Sequence, residues 1–146
     1  MRKSSLVLLL SALSLCGQVK LTPGQDQISV ELDGNAQGAE GEANVWGKRS
    51  EWVDYSGVID GEKVGVVIMD HPGNPRHPTY WHSRGYGLHS VNPFGVSDFL
   101  NDKTKDGSMT IEPGQHARFR YRVMVHPGDA KSANIAALYK QYAAGN

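Results

Sequence analysis

Four of the chain's six histidines crowd into the stretch 70–94, DHPGNPRHPTYWHSRGYGLHSVNPF. His71, His77, His82 and His89 are interleaved there with Trp81, with Arg76 and Arg84, and with Pro72, Pro75, Pro78 and Pro93. A neutral imidazole can ligate a metal, carry a proton or bond a sugar hydroxyl. No pair shows a metal-site spacing such as H-x-x-x-H on a helix or H-x-H on a strand, so no metal ligand is assigned. Asp70, beside His71, is the carboxylate placed to orient an imidazole or to act as a base. Asp70, His71 and His82 are therefore the candidate catalytic residues, and the sequence names no cofactor.

From Thr79 the chain alternates, which puts Tyr80, His82, Arg84 and Tyr86 on one face and Trp81 and Ser83 on the other. Aromatic rings beside hydrogen-bonding groups suit a carbohydrate, whose C–H faces stack while its hydroxyls take polar partners. Tyr80, Trp81, Arg84, Tyr86, His89 and Asn92 are the candidate substrate-binding residues. A second pattern is Arg118, Arg120 and Arg122, spaced at two along one strand face. Like charges in that row repel unless carboxylates or an anionic ligand lie between them. There is no G-x-S-x-G nucleophile turn and no Gly-rich phosphate loop between strand and helix.

The elements that must hold these residues are mostly strands. QISVELD (27–33) alternates as a half-buried strand, and the Gly-rich 34–47 follows as a loop or linker. Residues 52–59 and 63–69 form a hairpin through Asp60-Gly61-Glu62. Its second strand, VGVVIM, is apolar on both faces and reads as central and covered from both sides. Three prolines then stiffen the loop that begins at Asp70. Residues 98–108 are polar and exposed. A second hairpin pairs 109–111 with a long strand, 116–126, through Pro113-Gly114. A helix runs over 130–144, with Asp129 as N-cap and Gly145 as stop.

This is a mainly β fold: an antiparallel β-sandwich with a C-terminal amphipathic helix, in which five or six strands leave the sandwich short of cover. Apolar surface and a strand edge should then stay open, which favours self-association. By position the chain divides into a leader (1–16), a strand plus Gly-rich linker (17–45) and a β domain (46–146).

With 146 residues this is at most one domain, and its formal net charge is zero. Without Arg2 and Lys3 the balance turns slightly acidic, so no nucleic-acid partner is expected. Met1-Arg2-Lys3 followed by LVLLLSALSL has the basic flank and short apolar core of a signal peptide, too short to span a bilayer. Cys16, the single cysteine, stands where a lipoprotein leader would be cleaved and acylated; removal with an ordinary leader is the rival reading. The expected location is periplasmic or extracellular, with membrane contact only through the leader or a lipid on Cys16.

VGVVIMDHPGNPRHPTYWHSRGYGLHSVNPFG, preceded by GKRSEWVDYSG and followed by RFRYRVMVHPGD, resembles the C-terminal half of the DUF6807 family, whose members often carry the label methane oxygenase PmoA. The resemblance runs from about Trp46 to Tyr142, and its most specific segment is D-H-P-x-N-P-x-x-P-x-x-W-H. It implies a secreted or periplasmic bacterial β-sandwich of the kind found in carbohydrate-degrading genomes. The family's N-terminal half, with its own histidine-rich segment, has no counterpart here. The membrane subunit that shares the label is an integral protein, whereas nothing after residue 16 of this chain could cross a bilayer.

Three functions follow as expectations: acting on or binding carbohydrate, histidine–metal oxidoreduction, or glycan binding without chemistry. Export is the expectation easiest to check. Mass spectrometry of the cell-envelope fraction should find the chain without Met1–Leu15; intact full-length chain in the cytosol would refute it.

Overall fold

The computed structural model describes residues 30–145, with side chains from 34 onward, so the leader, Cys16 and the start of the first strand lie outside the described residues. In chain order the elements are β1 (Val30–Asn35), α1 (Glu42–Val45), β2 (Arg49–Ser50), β3 (Trp52–Ile59), β4 (Glu62–Asp70), β5 (Thr79–Tyr80), α2 (Val96–Phe99), β6 (Tyr121–Pro127) and α3 (Ile135–Ala144). One antiparallel sheet runs β1-β3-β4-β6, and β2 pairs with β5 in a second, two-stranded sheet. Among the described residues the chain is thus mainly β, in two antiparallel sheets with a C-terminal helix.

The β3–β4 hairpin is the frame. Asp60 and Gly61 both take positive φ, 51° and 82°, which is the backbone of a two-residue turn matched to strand twist. From that turn the register runs unbroken from Ile59↔Glu62 to Trp52↔Met69. On one face Val53 and Tyr55 pack with Val45, Trp81, Ile68 and Val91. On the other, Trp52, Val67 and Met69 meet Ile135, Leu138, Tyr139 and Tyr142 of α3. Alternation along β3 and β4 therefore builds two cores, one under the loops and one under the helix.

Cover is uneven on the loop side. Val66 pairs with Val125, and Ile68 with Val123, on the outer strand β6. Val123 and Val125 are 63% and 72% exposed. The central strand is thus buried on its helix face and half open on the other, contrary to the expectation of cover on both sides. Val123 and Val125 thus form an open apolar strip.

Two other expectations shift. Residues 109–120 form no strand, so the second hairpin is absent. The cause lies in β4: its pairing with β6 ends at Asp70↔Tyr121, and Pro72 then turns the chain away, leaving residues before Tyr121 no neighbour to pair with. The helix starts at Ile135 rather than 130 because Asn134 takes a left-handed φ of 53°. Asp129 still caps, but caps the preceding turn, accepting from Ser132 N at 2.8 Å.

One buried polar pair crosses the sheet under α3. His126 Nε2 donates to Asp54 Oδ1 at 2.8 Å, and both residues are buried. The imidazole reaches from β6 to β3 by lying over Gly65 of β4. A Cβ on Gly65 would sit 2.3 Å from His126 Cε1. Gly65→Ala should therefore expel the ring and cost about 2–4 kcal/mol in urea unfolding at neutral pH, while Val58→Ala at an exposed site should change stability by less than about 1 kcal/mol. Equal stability of Gly65→Ala and wild type would show that the cross-sheet pair is dispensable.

Candidate functional site

The proline loop closes on Asp70. This carboxylate is 1% exposed. Oδ1 accepts from Asn74 Nδ2 at 2.7 Å; Oδ2 accepts from His77 Nδ1 at 2.8 Å and from the Thr79 backbone N–H at 3.0 Å. Asn74 in turn donates to Arg120 O and accepts from Arg120 N, both at 2.6 Å. Asp70 therefore ties the end of β4 to the loop, to β5 and to the approach to β6. Three of its roughly four acceptor sites are thus used within the fold.

His71 is occupied as well. Gly73 N–H donates to Nδ1 at 2.9 Å, which makes Nδ1 the acceptor and leaves the proton on Nε2. Nε2 accordingly donates to Gly145 O at 3.2 Å. Its ring meets Tyr142 edge-on at 5.2 Å. To move a proton, Asp70 would have to give up buried hydrogen bonds and His71 partly buried ones.

Further along, the expected alternation holds as far as Arg84 and then stops, because residues 85–87 form a turn that takes Tyr86 off the face on which it was expected. β5 is only two residues long, yet the bridges Trp81↔Val91 and Arg84↔Leu88 keep the chain extended. Trp81 and Ser83 point inward and are buried, while Tyr80, His82 and Arg84 are half-exposed. Trp81 donates Nε1–H to Ser50 O at 2.8 Å and stacks on His89 with centroids 5.9 Å apart. His89 lies against Tyr55 and shares a hydrogen bond with Ser83 Oγ at 3.1 Å. Trp81 and His89 thus support the outer face from behind. Tyr86 stands 77% exposed at the tip of the 84–88 turn.

The outer face is larger than the sequence pattern suggests. Phe99 of α2 lies at its centre, stacked on Tyr80 at 5.5 Å and edge-on to Trp46 at 5.5 Å and His82 at 5.9 Å. Arg49 sits over the Tyr80 ring at 5.6 Å, and Arg84 over Trp46 at 4.5 Å. Asn92 places this ring indirectly: its Oδ1 accepts from Phe94 N and Gly95 N, setting the chain at the start of α2. Gly95 leaves room, since a Cβ there would come 2.8 Å from Phe99 Cε2. Phe99, Trp46 and Arg49 escaped the sequence reading because each lies in a segment that looks polar or Gly-rich. An aromatic residue in polar surroundings was the one available signal.

Arg84 is held from two sides. Tyr55 Oη donates to Arg84 O and accepts from Gly87 N, pinning the turn to β3. Glu42 accepts from Arg84 Nη1 at 2.8 Å and from Gly85 N at 2.6 Å. Those bonds, the Arg84 one foremost, hold the Glu42 carboxyl below its ordinary range. Together these contacts form an aromatic shelf edged by two guanidinium groups, with the His82 imidazole at one side. Asp70 and His71 are not part of it, being committed to the loop and to α3.

A family model, described as a family of unknown function (DUF6807), matches residues 30–140. The chain belongs to the DUF6807 family. No curated protein and no solved structure matches it. The part shared with DUF6807 includes the sheet, the Asp70 hub and every residue of the shelf. Among the described residues of this DUF6807 protein, no three His, Cys, Asp or Glu side chains gather as a metal-binding group. Nor is any described helix long and apolar enough to cross a membrane.

Burial pushes His89 down to about 4. The unfolded chain then takes up a proton at ordinary histidine pH while the folded chain refuses it. Stability should therefore fall as pH drops from about 6.5 towards 4, by about 3 kcal/mol in full. His89→Phe, which keeps the stacking, should flatten that slope in urea unfolding at pH 7.5, 6, 5 and 4. An unchanged slope would assign the acid sensitivity to other groups.

Proposed function

We propose that this DUF6807 chain is an exported carbohydrate-binding domain whose contact surface is the Tyr80–His82–Arg84 shelf with Phe99 and Trp46. The observation that carries the reading is the half-exposed ring cluster around Phe99, bordered by Arg49 and Arg84. Sugar C–H faces stack on such rings, and guanidinium and imidazole N–H groups meet the hydroxyls. The shelf is also held in place before any ligand arrives. Glu42 and Tyr55 fix Arg84, and the Asn92 turn fixes α2, so little ordering cost falls on binding.

Binding without turnover is favoured over catalysis. Asp70 and His71, two of the three candidate catalytic residues, are held by hydrogen bonds within the fold, and His82 is the single imidazole of the shelf. An isolated imidazole can hydrogen-bond a sugar, but it lacks the paired carboxylates that glycoside cleavage ordinarily uses.

Calorimetric titration with a panel of neutral oligosaccharides tests the proposal. Phe99→Ala and Tyr80→Ala should each weaken binding about five- to tenfold, the scale of one lost stacking contact, and His82→Ala by a smaller factor. Circular dichroism should show the fold retained. Wild-type affinity in the shelf variants would sink the assignment, and steady release of reducing ends from the panel would replace binding with catalysis.

A further inference from the structure

The guanidinium groups of Arg120 and Arg122, at the start of the last strand, serve neither the shelf nor the hub, although the Arg120 backbone is clamped by Asn74. The fold supplies acceptors to the other guanidinium groups around the site. Arg76 donates to Pro93 O, Gly107 O and Ser108 O; Arg49 to Pro78 O, Arg76 O and His77 O; Arg84 to Glu42. Arg120 and Arg122 instead line an open cleft of about 580 Å³ with His71, Gln141, Tyr142 and Gly145. That volume falls within the range of small-molecule sites.

Among the described residues neither guanidinium has a carboxylate in ion-pair range. Asp70, the carboxylate next to His71, is already committed to Asn74, His77 and Thr79. The arginines are nonetheless placed. Arg122 lies over the Tyr142 ring at 4.5 Å, and His71 braces that ring edge-on. Arg120 reaches across Gly73, where a Cβ would come within 2.5 Å of Nη2. Two fixed like charges facing one cleft leave a repulsion that a bound anion would relieve. Planar guanidinium forks match a carboxylate in particular, and the Tyr142 ring adds a surface against which a sugar can lie.

We propose that the Arg120–Arg122 cleft binds the carboxylate of an acidic sugar, a uronate. The sugar part rests on the carbohydrate reading above; the anion part does not.

Titration of the full chain with glucuronate, glucose and inorganic phosphate, followed by NMR, tests it. Glucuronate should bind about tenfold or more tighter than glucose, with shifts at Tyr121 and Tyr142. Arg120→Gln and Arg122→Gln should each remove most of that preference. Gly73→Ala should weaken it without changing any charge, because its Cβ displaces Arg120 and the end of a flexible side chain can yield without unfolding. Phe99→Ala should leave the preference intact, so the shelf and the cleft are judged separately. Equal binding of glucuronate and glucose, or full preference in the glutamine variants, overturns the proposal. So does phosphate displacing glucuronate at equal concentration, which would make the cleft a general anion site. Glucuronate binding with no neutral oligosaccharide bound would leave the cleft standing and remove the shelf.

Discussion

The buried carboxylate of Asp70 accepts from Asn74, His77 and the Thr79 backbone, and the placement of the loops depends on it. An ion in an apolar interior is tolerated only when donors replace its water, and here three do so. The bond to Thr79 starts β5 at the right height to pair with β2. The bond to Asn74, which itself clamps the Arg120 backbone, brings the chain into β6 beside β4. Removing this carboxylate would strand several buried donors at once, a heavier loss than that of any single contact on the shelf.

From this hub the molecule's asymmetry follows. β5 departs on the loop side of the sheet, so Trp81 and His89 come to lie over Val53 and Tyr55 and form that core. β6 and α3 close the opposite face through Ile135, Leu138 and Tyr139. The valines of β6 that face the loop side receive no cover, because the segment before Tyr121 has no strand to pair with and passes instead along the loops, where Phe119 meets Phe94. One proline turn after Asp70 accounts for both the short β6 and the open strip.

The shelf and the cleft differ in how their guanidinium groups are held. On the shelf, guanidinium groups are neutralised or carbonyl-bonded and the rings supply the contact. In the cleft, the rings are braces and the guanidinium groups are left to face outward. The supports come from all three helices: Glu42 of α1 and Phe99 of α2 at the shelf, and Tyr142 of α3 at the cleft.

Much of this was legible in the sequence. Period-two patterning marked the β3–β4 hairpin, and Asp60-Gly61 marked its turn, because alternation and left-handed backbone are local properties of the chain. The same rule put Tyr80, His82 and Arg84 outward and Trp81 and Ser83 inward, although only Thr79 and Tyr80 form a regular strand. The histidine- and proline-rich stretch was rightly marked as unusual. What could not be read was which of its groups would be spent. Asp70 and His71 look alike as catalytic candidates until Asn74, Gly73 and Gly145 are seen to use their lone pairs and protons. Phe99, Trp46 and Arg49 join the shelf only through loop geometry, and only the folded chain shows that, among the described residues, no carboxylate comes within ion-pair range of Arg120 or Arg122. Local sequence determined the strands, the turns and the inward or outward sense of each side chain. Tertiary structure alone decided which polar groups were satisfied, since hydrogen-bond partners far apart in the chain are chosen by packing and not by any local pattern.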